Sequence, residues 1–105
     1  MAKRDYLIEH KQIALTAVIA LGENAYGRAI HKRMQELAAG SRPVTLAVYA
    51  TLDRLEKQGY LRSWFGGATK ERGGRSKKFF QITPAGEQAL KDSLAVARNL
   101  LKELE

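Results

Sequence analysis

The stretch that decides the fold runs from Arg62 to Thr83 and reads RSWFGGATKERGGRSKKFFQIT. Two short strand-like runs, Leu61–Phe65 and Lys77–Ile82, flank a loop that contains two Gly-Gly pairs. The stretch has six basic residues and a single acid, Glu71. A β-hairpin with a flexible cationic tip is typical of an element that lies along a phosphate backbone. The pattern therefore predicts the wing of a winged helix.

Three segments before the hairpin carry apolar residues at helical spacing. They predict a first helix over Tyr6–Leu21, a second over Tyr26–Ala39, and a third that starts at the N-cap Thr45 and reaches Gln58. Gly59 is suited to end the third helix, because a residue with positive φ commonly follows a helix. The short turn between the second and third helices predicts a helix-turn-helix.

The third helix is expected to face DNA with the side opposite its apolar residues Val48, Leu52 and Leu55. Small and hydroxyl-bearing side chains on that side would let the helix sit deep in the major groove. The start of the second helix would favour a phosphate through its free N–H groups. Each feature also has a plainer explanation. The outer side of the third helix could be an ordinary solvent face, and Tyr49 could be purely structural. The start of the second helix could be a tight turn, and the basic loop could be a solvated loop. The residues predicted to contact DNA are Tyr26, Thr45, Ala47, Tyr49, Ala50, Thr51, Arg54, Arg72, Arg75, Lys77 and Lys78.

Thr83 as N-cap and Pro84 at the first helical position predict the start of the last helix. Its apolar residues then repeat at spacings of four and three, which is the pattern of a helix-pairing seam. The same stripe could instead pack onto its own domain. We expect residues 1–83 to form the DNA-binding domain and residues 84–105 to form a dimerisation helix. The predicted dimer interface comprises Leu90, Leu94, Ala97, Leu101 and Leu104.

Composition limits the possible functions. The chain of 105 residues carries a net charge of +7 with 45% apolar residues, which favours a polyanionic partner. It has no cysteine, so disulfides and thiolate metal sites are excluded. Its longest apolar run is too short to span a bilayer, and we expect a cytoplasmic protein. His10 and His31 lack partners at metal-ligand spacing, and no catalytic motif is present, so we expect no metal, no cofactor and no enzyme activity.

Several of these segments resemble the PadR-like family of transcriptional regulators. The matching pieces are Ala25–Gly27, Val44–Leu61 and Glu71–Gly86. The resemblance implies a winged-helix fold, homodimerisation through the C-terminal helix with help from the first, and repression at pseudo-palindromic operators. Many relatives carry Gly where Ala47 stands, so the start of the third helix would sit differently on DNA. Some relatives have an effector pocket between protomers, but no residue here identifies one.

The predicted fold is mainly α with a small antiparallel β-hairpin: a winged helix-turn-helix followed by a C-terminal dimerisation helix. The favoured function is a DNA-binding regulator, a repressor that binds double-stranded DNA as a homodimer. One alternative is a winged helix that serves as a protein-interaction module, which needs no cationic wing. Another is a small-molecule sensor, in which Trp64 would stack on a planar ligand.

Overall fold

The computed structural model describes residues 9–38, 47–66 and 77–105. Its helices are α1 (Glu9–Leu21), α2 (Gly27–Leu37), α3 (Val48–Lys57) and α4 (Pro84–Leu104), with a short 3-10 turn at Gly22–Asn24. Strands β1 (Leu61–Gly66) and β2 (Lys77–Ile82) form one antiparallel hairpin. The predicted fold class, a mainly helical chain with a hairpin before the last helix, is confirmed.

A small apolar core holds these elements together. The inner face of α1 lies at its centre and packs against α2, α3, α4 and β2. The core also includes Ala25 and the first turns of α4, where Ala89 and Leu90 are buried. The largest fully buried side chains are Leu15, Ile30, Met34, Val48, Leu52 and Leu55. Leu37, at the end of α2, is 42% exposed.

The junction between α3 and β1 is a tight helix stop. Gly59 has φ +85°, and its N–H donates to the carbonyl of Glu56 at 2.9 Å. The N–H of Tyr60 donates to the carbonyl of Leu55, also at 2.9 Å, which completes a Schellman motif. The prediction that Gly59 ends the helix is therefore confirmed.

The junction between β2 and α4 is joined to that stop. The Thr83 hydroxyl donates to the carbonyl of Gly59 at 2.6 Å, and it accepts from the N–H of Gly86 at 3.1 Å as the N-cap of α4. Gly86 is buried, and a Cβ at this position would overlap the carbonyl of Tyr60. These contacts fix the base of the hairpin between the end of α3 and the start of α4. Within the described ranges, no helix is long and apolar enough to cross a membrane.

Candidate nucleic-acid interface

The outer face of α3 is the part of the molecule that sequence analysis assigned to the major groove. Ala47, Ala50 and Arg54 are exposed, as predicted, and Tyr49 is exposed as well. Tyr49 is 60% exposed, so most of its ring and hydroxyl faces solvent. The described helix begins at Val48, with Ala47 at the N-cap and no side-chain capping bond. Thr45, the predicted N-cap, lies outside the described residues.

Among the described residues of this face, Thr51 was misassigned. It is only 8% exposed and belongs to the inner side of α3. The reason is helical geometry, because Thr51 follows Val48 by three residues and precedes Leu55 by four, and both are buried. The domain therefore covers most of the Thr51 side chain, which leaves little of it for contact with a base edge. Ala50, three residues after Ala47, remains on the exposed side.

The start of α2 lies next to Tyr49. A Cβ added to Gly27 would lie 2.5 Å from Cε1 of Tyr49, so glycine is what allows the ring to lie across the start of α2. Tyr26, the N-cap residue, is extended and makes no side-chain capping bond. The first N–H groups of an α-helix have no intrahelical acceptor, and the helix dipole favours an anion there. The arrangement places a tyrosine hydroxyl near a helix end that is suited to a phosphate.

Tyr26 also belongs to a row of aromatic side chains on one face of the hairpin. Its backbone pairs with Phe79 as an isolated bridge, and the two rings meet edge to face at 5.9 Å. Phe79 in turn stacks beside Trp64, its partner across the strands. Lys77 Nζ lies 4.1 Å from the centre of the Tyr26 ring, and the Arg62 guanidinium lies 5.0 Å from that of Trp64. Tyr26 thus joins the start of α2 to the hairpin and has a cation above its ring.

Lys78, also predicted to contact DNA, points to the other face of the hairpin. Its Nζ is 3.7 Å from Oε1 of Glu56 on α3, so it is paired within the molecule. The same carboxylate accepts a 2.6 Å hydrogen bond from the Ser63 hydroxyl. Sequence reasoning did not single out Glu56, because its role depends on contacts between residues distant in sequence. The two remaining predicted wing contacts, Arg72 and Arg75, lie outside the described residues.

The far half of α4 presents the predicted dimer seam to solvent. Leu101 is 61% exposed and Leu104 is 83% exposed, with Leu94 less exposed and Ala97 half-buried. Leu90 does not belong with them, because it is only 5% exposed and packs in the core of its own domain. The spacing of the apolar residues along α4 does not show which of them are covered by the core of their own domain.

Two apolar residues of α4 were missed by the heptad pattern. Val96 and Leu100 are both exposed, and they lie one helical turn apart beside the predicted seam. They widen the apolar face beyond a narrow two-helix seam, towards the broader stripe of a helix that packs against more than one neighbour. The signal that could have found them is the spacing of four from Val96 to Leu100 and again to Leu104.

Comparison with known proteins identifies a family that the chain matches. A family model described as the transcriptional regulator PadR-like family matches residues 16–92. A transcriptional regulator from Clostridium thermocellum is similar in structure, with 25% identity and a TM-score of 0.71 over 90% of this chain and 85% of that one. A PadR family transcription regulator from Clostridium difficile has 21% identity and a TM-score of 0.67 over 90% and 94% of the two chains.

A third similar structure comes from a larger protein. The ORC1 protein of Aeropyrum pernix, solved in complex with DNA, has 27% identity and a TM-score of 0.66. The match covers 88% of this chain but only 26% of ORC1. Among curated protein sequences, none matches the chain significantly.

Proposed function

We propose that this chain, which belongs to the PadR-like family of transcriptional regulators, is a sequence-specific DNA-binding repressor that acts as a homodimer in the cytoplasm. The observation that carries the proposal is the exposed face of α3, where Tyr49 lies against the start of α2 and borders a groove together with Tyr26 and with Lys77 of the hairpin. A surface of this shape and charge is suited to double-stranded DNA.

The face of α3 is proposed to enter the major groove. Ala47 and Ala50 leave room for the helix to approach the bases closely, and their methyl groups suit contact with a thymine methyl. Arg54, exposed one turn later, can reach a phosphate or the guanine edge. Tyr49 is proposed to bond a phosphate together with the start of α2.

The hairpin is proposed to hold the DNA backbone. Lys77 lies on its described part, above the Tyr26 ring, and the sequence adds Arg72 and Arg75 in the tip. Phosphate contacts of this kind give affinity without sequence preference, while α3 supplies the preference. Residues 1–83 would thus bind DNA.

Residues 84–105 are proposed to hold two protomers together. Half of the exposed large apolar side chains among the described residues lie in the last eleven residues of α4. Ile19 on α1 is also 49% exposed, which supports a contribution from the first helix. Two-fold pairing of α4 would present two copies of α3 to a pseudo-palindromic operator.

Selection of bound sites from random duplex DNA tests the proposal, followed by titration of a selected duplex over a range of salt concentrations. We expect a common inverted repeat and an affinity that falls with salt, with a log-log slope of roughly 0.9 for each phosphate contact. A pool without enriched sequence would contradict a sequence-specific regulator. Binding that does not change with salt would contradict the cationic hairpin as a backbone contact.

A second candidate function is sensing of a small planar molecule. Trp64 is 42% exposed and borders a groove of about 700 Å³ that also touches Ile19, Arg62 and Gln81. Trp64 is the only tryptophan of the chain, so tryptophan fluorescence reports on the surroundings of this one side chain. Saturable quenching by planar aromatic compounds, with a matching change in DNA affinity, would favour a sensor.

A further inference from the structure

Glu56 connects α3 to both strands of the hairpin. Its Oε2 accepts a 2.6 Å hydrogen bond from the Ser63 hydroxyl on β1, and its Oε1 lies 3.7 Å from Nζ of Lys78 on β2. The Glu56 side chain is about one third exposed, at 32%. Hydrogen bonds to a charged acceptor are stronger than neutral ones, and partial burial reduces their screening by solvent.

Lys78 is held in place from two directions. Its Nζ lies 5.6 Å from the ring centre of Phe80 and 5.9 Å from that of Phe65, on the same side of the hairpin as Glu56. These rings favour the position of the cation that the carboxylate also favours. The ammonium group therefore bridges the strand pair to α3 in the described structure.

Within the described part of the chain, no ion pair joins Asp53, the other acid of α3, to another element. Asp53 pairs with Lys57 one turn along the same helix at 3.2 Å, and both side chains are mostly exposed. An exposed pair of this kind contributes little to stability. Asp53 and Glu56 thus carry the same charge on the same helix, but among the ion pairs described for them only that of Glu56 reaches another element.

We propose that Glu56 is a positioning residue that fixes the angle between α3 and the hairpin, so that both can engage one duplex at the same time. The proposal rests on the proposed DNA-binding function. A hairpin at the right angle needs no reordering when the duplex binds, whereas a loose hairpin loses freedom on binding and weakens the complex. On this view, Lys78 serves mainly as the partner of Glu56, and Lys77, at the loop end of β2, is the phosphate contact.

Three variants test this role. Glu56→Gln keeps an oxygen that can accept from Ser63 but loses the attraction to Lys78, and Ser63→Ala removes only the hydroxyl donor. Asp53→Asn is the matched control, because it changes the net charge by the same amount on the same helix without loosening the hairpin. The readouts are the ratio of affinities for a selected and a random duplex, and the rate of amide hydrogen exchange in β1 and β2.

We expect Glu56→Gln and Ser63→Ala each to weaken binding to the selected duplex roughly fivefold more than binding to a random duplex, because only the selected site holds α3 and the hairpin at the same time. Both variants should also speed exchange in both strands. Asp53→Asn should change both affinities by the same factor and leave strand exchange as in the wild type. If Glu56→Gln fails to fold, the result for Ser63→Ala decides the test. Equal ratios and equal exchange for all three variants, in a protein that discriminates between duplexes, would overturn the positioning role. A wild-type protein that prefers no duplex would overturn the proposed function, and this role with it.

Discussion

Two helices of the chain present exposed faces of opposite chemical character. The outer face of α3 carries small residues such as Ala47 and Ala50, with an arginine and a tyrosine beside them. The far half of α4 carries leucine and valine side chains that face solvent. Small and polar side chains are readily solvated and allow a polyanion to approach. Burial of an exposed leucine side chain would instead stabilise the protein by roughly 1.5–3 kcal/mol. The difference suggests that DNA covers α3 and that protein covers α4.

The largest effect is expected for a substitution in the buried first turns of α4. Leu90→Asp would place a carboxylate among buried apolar side chains, and we expect it to destabilise the fold by more than about 3 kcal/mol. Thermal unfolding followed by circular dichroism measures this, with the variant and the wild type at the same protein concentration. Melting within a few degrees of the wild type would show that the first turns of α4 are not part of the core.

Leu101→Asp should separate the two protomers without unfolding them. In a two-fold dimer the change appears twice, and loss of two leucine contacts weakens association by about 100-fold or more. Sedimentation velocity measures the dissociation, and circular dichroism checks that helix content is retained. The control is Asn99→Asp, which adds the same charge to an exposed position on the opposite side of α4. If Leu101→Asp sediments like Asn99→Asp, the protomers meet elsewhere.

Ala50→Glu should damage DNA binding and leave assembly intact. The carboxylate would face phosphates from the exposed side of α3, and we expect at least about a tenfold loss of affinity for a selected duplex. Ala50→Gln adds similar bulk without charge and should have a smaller effect, which separates repulsion from steric obstruction. Fluorescence anisotropy of a labelled duplex measures both. Unchanged affinity in both variants would remove α3 from the interface.

The smallest effect on DNA binding is expected for the basic residues of the loop between the two strands. Replacing Arg72 and Arg75 together by Ala should weaken binding to selected and random duplexes alike. It should also flatten the slope of log affinity against log salt by roughly 0.9 for each lost contact. The control replaces Lys91 and Lys102, two exposed cations of α4, and should leave the slope unchanged. An equal slope in both double variants would exclude the tip as a phosphate contact.

The features that could be predicted from sequence are those set by local geometry. The bounds of β2, the glycine stop at Gly59 and the Thr83-Pro84 start of α4 follow from the preferences of single residues, and all three are confirmed. The similarity to the PadR-like family, judged from the motifs of α3 and the hairpin, is confirmed by the family match over residues 16–92.

The features that could not be predicted depend on tertiary packing. Thr51 was assigned to the outer face because a hydroxyl suits either side of a helix, and only the phase of α3 against the core decides. Leu90 and Leu101 belong to one sequence stripe, but the domain covers the first and leaves the second exposed. Glu56 meets Ser63 and Lys78 only after the hairpin has folded against α3.

The most direct test of the account is the stoichiometry of the complex with a selected duplex. Sedimentation of a labelled duplex, titrated with the wild-type protein, gives the number of bound protomers. We predict that two protomers bind together to one duplex with two inverted half-sites, and that scrambling one half-site sharply lowers the affinity. A single protomer bound to each duplex, with equal affinity for the intact and the scrambled site, would contradict a DNA-binding homodimer.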